Sequence, residues 1–301
     1  MSNIIHLQSI ADLGNFAQFK PKHPLVAVVD FSNFDEELDE AVRISADFYS
    51  IMFKNYCANN LRYGRRPFDF QEGSLMCVAP RQVLSMDNEV QPRDDKMGWG
   101  LFFHPDLLRG TALGGEMAEY TFFQYEVSEA LHLSDKEKNI LHDCVQKIEN
   151  ELQENIDTHS QTLIISNIEL LLNYAARYYG RQFITRKKAN SGVLSKVEAY
   201  LRQHFRKGNL QEAGLPTVNE LAEHVHLSAS YLSDLLKKET GMHAQDHIHY
   251  HLIEEAKNVL ISTDHSVSEV AYALGFGYPQ YFSKLFKKKT GYSPAEFRNL
   301  N

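Results

Sequence analysis

The chain has 301 residues, long enough for two ordinary domains, and its 43% hydrophobic and 23% charged residues are those of a globular protein. No stretch approaches the roughly 18 uncharged apolar residues of a membrane helix. The start Met1-Ser-Asn-Ile-Ile-His6 lacks the order of a signal peptide, so a cytoplasmic protein without a membrane partner is expected. Cys57, Cys77 and Cys144 are odd in number and lack metal-type spacing; they are expected as small buried hydrophobes in a reducing compartment.

The net charge of −8 is unevenly spread. Residues 1–180 carry 15 Lys+Arg against 27 Asp+Glu, whereas residues 181–301 carry 16 against 12. The acidic surplus therefore belongs wholly to the first part. The second is weakly basic, which fits modest attraction to phosphates and proves nothing alone.

In chain order, residues 1–130 hold short apolar runs: Leu25–Val29, Phe48–Phe53, Ser74–Val78 and Gly100–Phe103. Pro21, Pro24, Pro67, Gly73, Pro80, Pro92 and Pro105 punctuate them, so an all-β sandwich or barrel is expected, with Phe68–Gly73 as one of its turns. Two helices should follow. Ser134 and Glu137 make a capping box, and Ile140, Cys144, Ile148, Leu152 and Ile156 recur every fourth residue. Thr162–Tyr179 is more apolar, with Leu163, Ile164, Ile168, Leu171, Leu172 and Ala175. Such a hairpin packs on the barrel or on a second copy. Residues 181–192 are polar and basic and are expected as an interdomain linker.

The last third repeats itself. The segment Tyr231-Leu-Ser-Asp-Leu-Leu-Lys-Lys-Glu-Thr-Gly241 returns fifty residues on as Tyr281-Phe-Ser-Lys-Leu-Phe-Lys-Lys-Lys-Thr-Gly291, with seven of eleven positions identical. Upstream, Glu220-Leu-Ala matches Glu269-Val-Ala. Each copy predicts helix, tight turn, helix. Thr217 with Glu220, and Ser266 with Glu269, are capping boxes; Ser228 caps the second helix of the first copy and Pro279 opens that of the second. Leu232, Leu235 and Leu236, and then Phe282, Leu285 and Phe286, should face inward. Between the copies Gln245–Ile261 has helical spacing. Its ~25 Å would hold two reading helices about one DNA turn apart, ~34 Å.

Residues from about Val193 to Phe297 resemble the DNA-binding domain of the AraC/XylS family of bacterial regulators. The resemblance is carried by Ala256-Lys, Val267-Ser-Glu-Val-Ala, Gly275-Phe, Tyr281-Phe-Ser-Lys-Leu-Phe-Lys, Gly291 and Ser293-Pro-Ala-Glu-Phe297. One departure is Leu252, where the family usually has arginine. The resemblance implies two helix-turn-helix units on DNA, with Ser230, Ser233 and Asp234 of the first and Pro279, Gln280, Ser283 and Lys284 of the second facing bases. Chemistry agrees: Gln pairs with adenine, Lys donates to guanine, Asp accepts from cytosine. Lys237, Lys238, Lys287, Lys288 and Lys289 are expected at phosphates.

The expected fold is α+β multidomain. It comprises a cupin-like jelly-roll sensor at 1–133, a helical dimerisation hairpin at 134–180 with Ile148 and Leu152 in the contact, a linker at 181–192 and an all-α tandem helix-turn-helix domain at 193–301. Jelly roll and dimerisation are implied by the resemblance. The expected function is sequence-specific transcription regulation, as activator or repressor, controlled by an effector or by dimerisation. The expected partners are double-stranded DNA, a second copy, a small-molecule effector and RNA polymerase, with no cofactor.

The rival is a catalytic cupin fused to a DNA-targeting module. A cupin enzyme needs clustered histidines, but His6, His23, His104, His132, His142 and His159 are scattered, so no metal and no catalysis are expected. His243, His247, His249 and His251 cluster on the linker helix. His247 and His251 have the i,i+4 spacing of a metal pair but no evident carboxylate partner, and are expected as ordinary polar residues.

Overall fold

The computed structural model describes the chain apart from residues 1–3, 32–41, 55–60, 64–65, 68–72, 87–97, 155–156, 158, 186, 207–209, 211–213 and 301. It divides into two compact units, residues 1–184 and 185–301.

Two five-stranded sheets build the first unit. One is ordered β1 (Ile4–Leu7), β3 (Val42–Ala46), β8 (Val83–Met86), β5 (Leu61–Tyr63), β6 (Arg66–Pro67). The other is ordered β10 (Leu131–His132), β7 (Ser74–Val78), β4 (Tyr49–Lys54), β9 (Gly98–Phe103), β2 (Val26–Asp30). β1 runs parallel to β3, and the other described pairings are antiparallel. The four apolar runs of the sequence are β2, β4, β7 and β9, all in the second sheet. In register, Ile51 lies opposite Cys77 on one side and Leu101 on the other. Between the sheets, Leu7, Ala27, Val29, Phe48 and Phe102 pack with Ile10 and Leu13 of α1 (Ile10–Phe16). Of the expected turn Phe68–Gly73, residues 68–72 lie outside the described residues, as does Cys57; Cys77 and Cys144 are buried.

The outer face of the second sheet is covered by helical segments, beginning with Pro105–Leu108 and α2 (Ala112–Glu116). Phe123 meets Tyr49 of β4 at 4.9 Å between ring centroids, and Phe122 stacks on Tyr179 at 5.4 Å. This joins the sheet to the hairpin of α3 (Asp135–Gln153) and α4 (Ser160–Thr185). The expected capping box is present: the backbone N–H and hydroxyl of Ser134 both donate to Glu137 at 2.9 Å. The buried stripe of α3 is Leu141, Cys144, Val145 and Ile148, so the expected every-fourth-residue line is displaced from Ile140 at its start. Ile148 is fully buried within its own unit and Leu152 half-buried, while Ile156 lies outside the described residues. The first of these two dimer candidates is thus spent on intramolecular packing.

The expected linker is helical where described. α4 continues to Thr185, five residues past Gly180, because Arg181 and Gln182 have work in the first unit. Gln182, only 2% exposed, accepts from the His132 N–H at 2.9 Å and donates to the Ala130 carbonyl at 3.2 Å. Arg181 donates to the His132 carbonyl at 2.8 Å and pairs with Glu137 at 2.8 Å.

Among its described residues the second unit has helices as its regular elements: α5 (Lys187–Arg206), α6 (Val218–Val225), α7 (Ala229–Thr240), α8 (Ala244–Ser262), α9 (Val267–Ala273), α10 (Pro279–Thr290) and α11 (Pro294–Leu300). One core runs through it, from Val197, Leu201 and Phe205 of α5 through Leu232, Leu236, Ile248 and Leu252 to Val270, Phe282 and Phe286. Leu252 is fully buried, so at this position the chain has a core residue. Among the described residues no helix is long and apolar enough to cross a membrane.

Candidate nucleic-acid interface

Each half of the second unit places a short helix ahead of a longer one. α6 is opened by Thr217, whose backbone N–H donates to Glu220 at 2.7 Å while its hydroxyl accepts from the Glu220 N–H at 3.2 Å. α9 is opened in the same way by Ser266 and Glu269, at 2.7 and 3.2 Å. These reciprocal bonds satisfy amides that a helix start leaves without partners. The chain then turns through a left-handed residue, His226 at φ 63° in the first half and Gly275 at φ 85° in the second. A Cβ at Gly275 would stand 2.8 Å from the Leu210 carbonyl oxygen, so glycine is needed there for room as well as for φ.

α7 starts at Ser228, whose hydroxyl accepts from the Tyr231 N–H at 3.1 Å; α10 starts with Pro279 at its first turn and no side-chain cap. Both end alike. Gly241 and Gly291 are left-handed caps, and Thr240 and Thr290 each donate to a carbonyl four residues back at 2.8 Å. Lys237 and Lys238 occupy the last turn of α7, and Lys287, Lys288 and Lys289 that of α10, where cations suit the helix dipole.

Of the base-facing candidates, Gln280 and Lys284 are exposed on α10, with Pro279 and Ser283 half-buried; Ser230, Ser233 and Asp234 are half-buried on α7. The hydroxyl of Ser233 hydrogen-bonds with the His243 ring at 3.1 Å and accepts from the Ala244 N–H at 3.4 Å, tying α7 to the start of α8. Lys289 donates to Asp246 of α8 at 2.8 Å, and that bond is the foremost cause holding the Asp246 carboxyl below its ordinary value. Lys237, Lys238, Lys287 and Lys288 are exposed. Two exposed tyrosines flank Gln280: Tyr278 is 68% and Tyr281 67% exposed, with ring centroids 5.8 Å apart. Tyr281 stands at the repeat position of Tyr231, which is 4% exposed, so the two copies place this tyrosine differently.

The histidines of α8 are not ordinary surface residues. Glu198 of α5 hydrogen-bonds with His247 at 3.1 Å and with His251 at 2.8 Å, and the far nitrogen of His247 meets the Thr240 hydroxyl at 2.9 Å. This is the carboxylate the spacing alone did not reveal. Burial raises the Glu198 carboxyl, but the hydrogen bonds from His251 and His247, together with the charges of these two rings, leave the group below its ordinary value. The cluster locks α5, the end of α7 and α8 together. Among the described residues no group of three or more His, Cys, Asp or Glu is arranged to hold a metal ion.

Comparison with known proteins agrees with this geometry. Residues 221–300 match the family described as "Helix-turn-helix domain". The HTH-type transcriptional regulator YfiF of Bacillus subtilis is 33% identical over 141 residues, 47% of this chain and 41% of that protein. The HTH-type transcriptional activator RhaS of Salmonella schwarzengrund is 34% identical over 109 residues, 36% of this chain and 37% of that protein. The chain thus matches about two fifths of the length of these relatives. Among solved structures, the C-terminal domain of AraT, a response regulator from Geobacillus stearothermophilus, is 28% identical with a TM-score of 0.32, covering 36% of this chain and 85% of that one. Residues 221–300, with their duplicated helix pairs, thus form a helix-turn-helix domain of AraC/XylS type.

Proposed function

We propose that the whole chain is a sequence-specific transcriptional regulator in which α7 and α10 enter successive major grooves. The observation that carries this is the repeated helix pair whose second helices end in exposed lysines and, in α10, present Gln280 and Lys284 to solvent. In this reading Ser230, Asp234, Pro279, Gln280, Ser283 and Lys284 face base edges, and Ser233 positions α7. Lys237, Lys238, Lys287 and Lys288 touch phosphates, and Lys289 joins them on leaving Asp246. Fluorescence anisotropy of residues 185–301 with promoter fragments tests it. Binding should weaken steeply with salt, Gln280→Ala should relax preference at particular base pairs by about 1–3 kcal/mol, and Lys288→Ala should weaken all sequences alike. A folded fragment without salt-sensitive binding would sink the reading.

The β-rich unit serves as a cupin-like sensor and the hairpin as a dimer contact, with a second copy raising the local concentration of readers on DNA. The α4 face bearing Leu163 and Leu170, 47% and 41% exposed and one heptad apart, suits that contact better than Ile148. Sedimentation of the full chain should show a dimer that Leu163→Asp with Leu170→Asp separates. A monomeric wild type on and off DNA would leave the hairpin as a brace alone.

A further inference from the structure

The second helices of the two copies begin differently, and the difference falls at one position. The copies are offset by fifty residues, so Tyr278 stands where the first has Ser228. Ser228 caps α7, its hydroxyl accepting from the Tyr231 N–H at 3.1 Å. Tyr278 precedes α10 in the same place and makes no side-chain cap, because a phenol on a rigid ring cannot fold back onto its own helix start. Pro279 removes one amide that would need a partner, but α10 still forgoes the stabilising bond of its twin.

What replaces the cap is ring surface. Among the described residues Tyr278 and Tyr281 are the two most exposed large apolar side chains. Their rings meet edge to face at an interplanar angle of 81°, a favourable geometry in which each props the other. Tyr231, the counterpart of Tyr281, is buried, so duplication alone does not account for the pair.

The neighbouring side chains indicate what the rings would meet. Residues three and four apart on a helix adjoin, so Tyr281, Lys284 and Lys288 form one line and Gln280, Lys284 and Lys287 the next, all of them exposed. Rings at the head of a lysine-bearing face suit a polyanion with an apolar group between its charges. The DNA major groove offers one: thymine presents its 5-methyl group there, beside the atoms by which glutamine pairs with adenine.

Resting on the regulator reading above, we propose that Tyr278 reads thymine. Its ring, propped by Tyr281, packs on the 5-methyl group of a thymine neighbouring the base pair met by Gln280. The contact is apolar, and the Tyr278 hydroxyl has no part in it.

Selection from a random-sequence duplex library by the full chain supplies a bound site. Each thymine of that site is then replaced singly by deoxyuridine, which removes the methyl group and leaves every hydrogen bond. In wild type one replacement, beside the base pair at which Gln280→Ala relaxes preference, should weaken binding about fourfold, the worth of one buried methyl group. Tyr278→Phe should keep that difference. Tyr278→Ser, which restores the residue of the first copy, should erase it while binding the site and melting no lower than wild type. A site indifferent to every replacement, a difference that survives Tyr278→Ser, or one lost in Tyr278→Phe would each overturn the proposal. DNA binding untouched by Tyr278→Ser would assign the rings to a protein partner instead. Failure to enrich any sequence removes the regulator reading itself, whereas an enriched site without a methyl-sensitive thymine removes the thymine contact alone.

Discussion

The two helix-turn-helix halves share capping boxes, glycine C-caps and a threonine at the end of the second helix, yet they are finished differently. In the first, Ser228 caps α7, Tyr231 is buried, and the turn passes through a strained histidine. In the second, α10 has no side-chain cap, the turn uses Gly275, and Tyr278 and Tyr281 stand in solvent. The first half is thus built into its surroundings, packed on α5 and pinned by Ser233 and His247. The second leaves its reading helix open at the end that carries Gln280. Duplication preserved the framework, while the surfaces diverged toward anchoring in one copy and presentation in the other.

The largest expected effect asks whether the halves are separate at all. They share one core, so Phe286→Ala should cost about 3–5 kcal/mol and unfold both together. Urea denaturation of residues 185–301 should show a single shifted transition; two transitions would mean that the halves are autonomous.

A smaller effect probes the anchoring. The Glu198 carboxyl is held below its ordinary value in the folded state. Its contribution is therefore fully present above the unfolded value and is lost as pH falls through the folded one. Glu198→Gln should lower stability near neutral pH by about 1 kcal/mol, allowing for its partial exposure, and flatten the acid side of the stability curve. An unchanged acid limb in thermal melts would show that the cluster does not couple to folding.

The smallest compares the turns. His226→Gly should stabilise by about 0.5 kcal/mol, since left-handed backbone costs histidine more than glycine loses in entropy. Gly275→Ala should go the other way, because it also meets the Leu210 carbonyl. Equal shifts in melting temperature would mean that the turns are equivalent after all.

What was legible followed from local rules. Capping boxes, glycine caps and the α8 stripe lie within a few residues, so spacing suffices to find them. The strands of the second sheet were visible because both their faces are covered and most of their residues are apolar, as in Leu75–Val78. Those of the first sheet were not: β5 and β6 are three and two residues long, and β1 and β3 carry His6 and Arg43 among their apolar residues. The base-facing candidates came with the family resemblance. Glu198 and Ser233 were missed as partners of α8 because their bonds span 49 and ten residues or more, which only the fold brings together. The helix that runs on into residues 181–185 was hidden for a similar reason, although the division between the two units falls within the stretch 181–192. A polar, basic stretch looks like a connector until its partners, His132 and Ala130, are seen fifty residues upstream.

That last contact has a bearing on solubility. β10 is an edge strand two residues long, and the outer rim of a sheet is where a stray chain adds itself. The amide of Gln182 takes up the His132 N–H and the Ala130 carbonyl much as another peptide group would, and Arg181 covers the His132 carbonyl. The rim is thereby closed to strand addition by side chains of a helix, a safeguard against aggregation that costs the chain no extra strand.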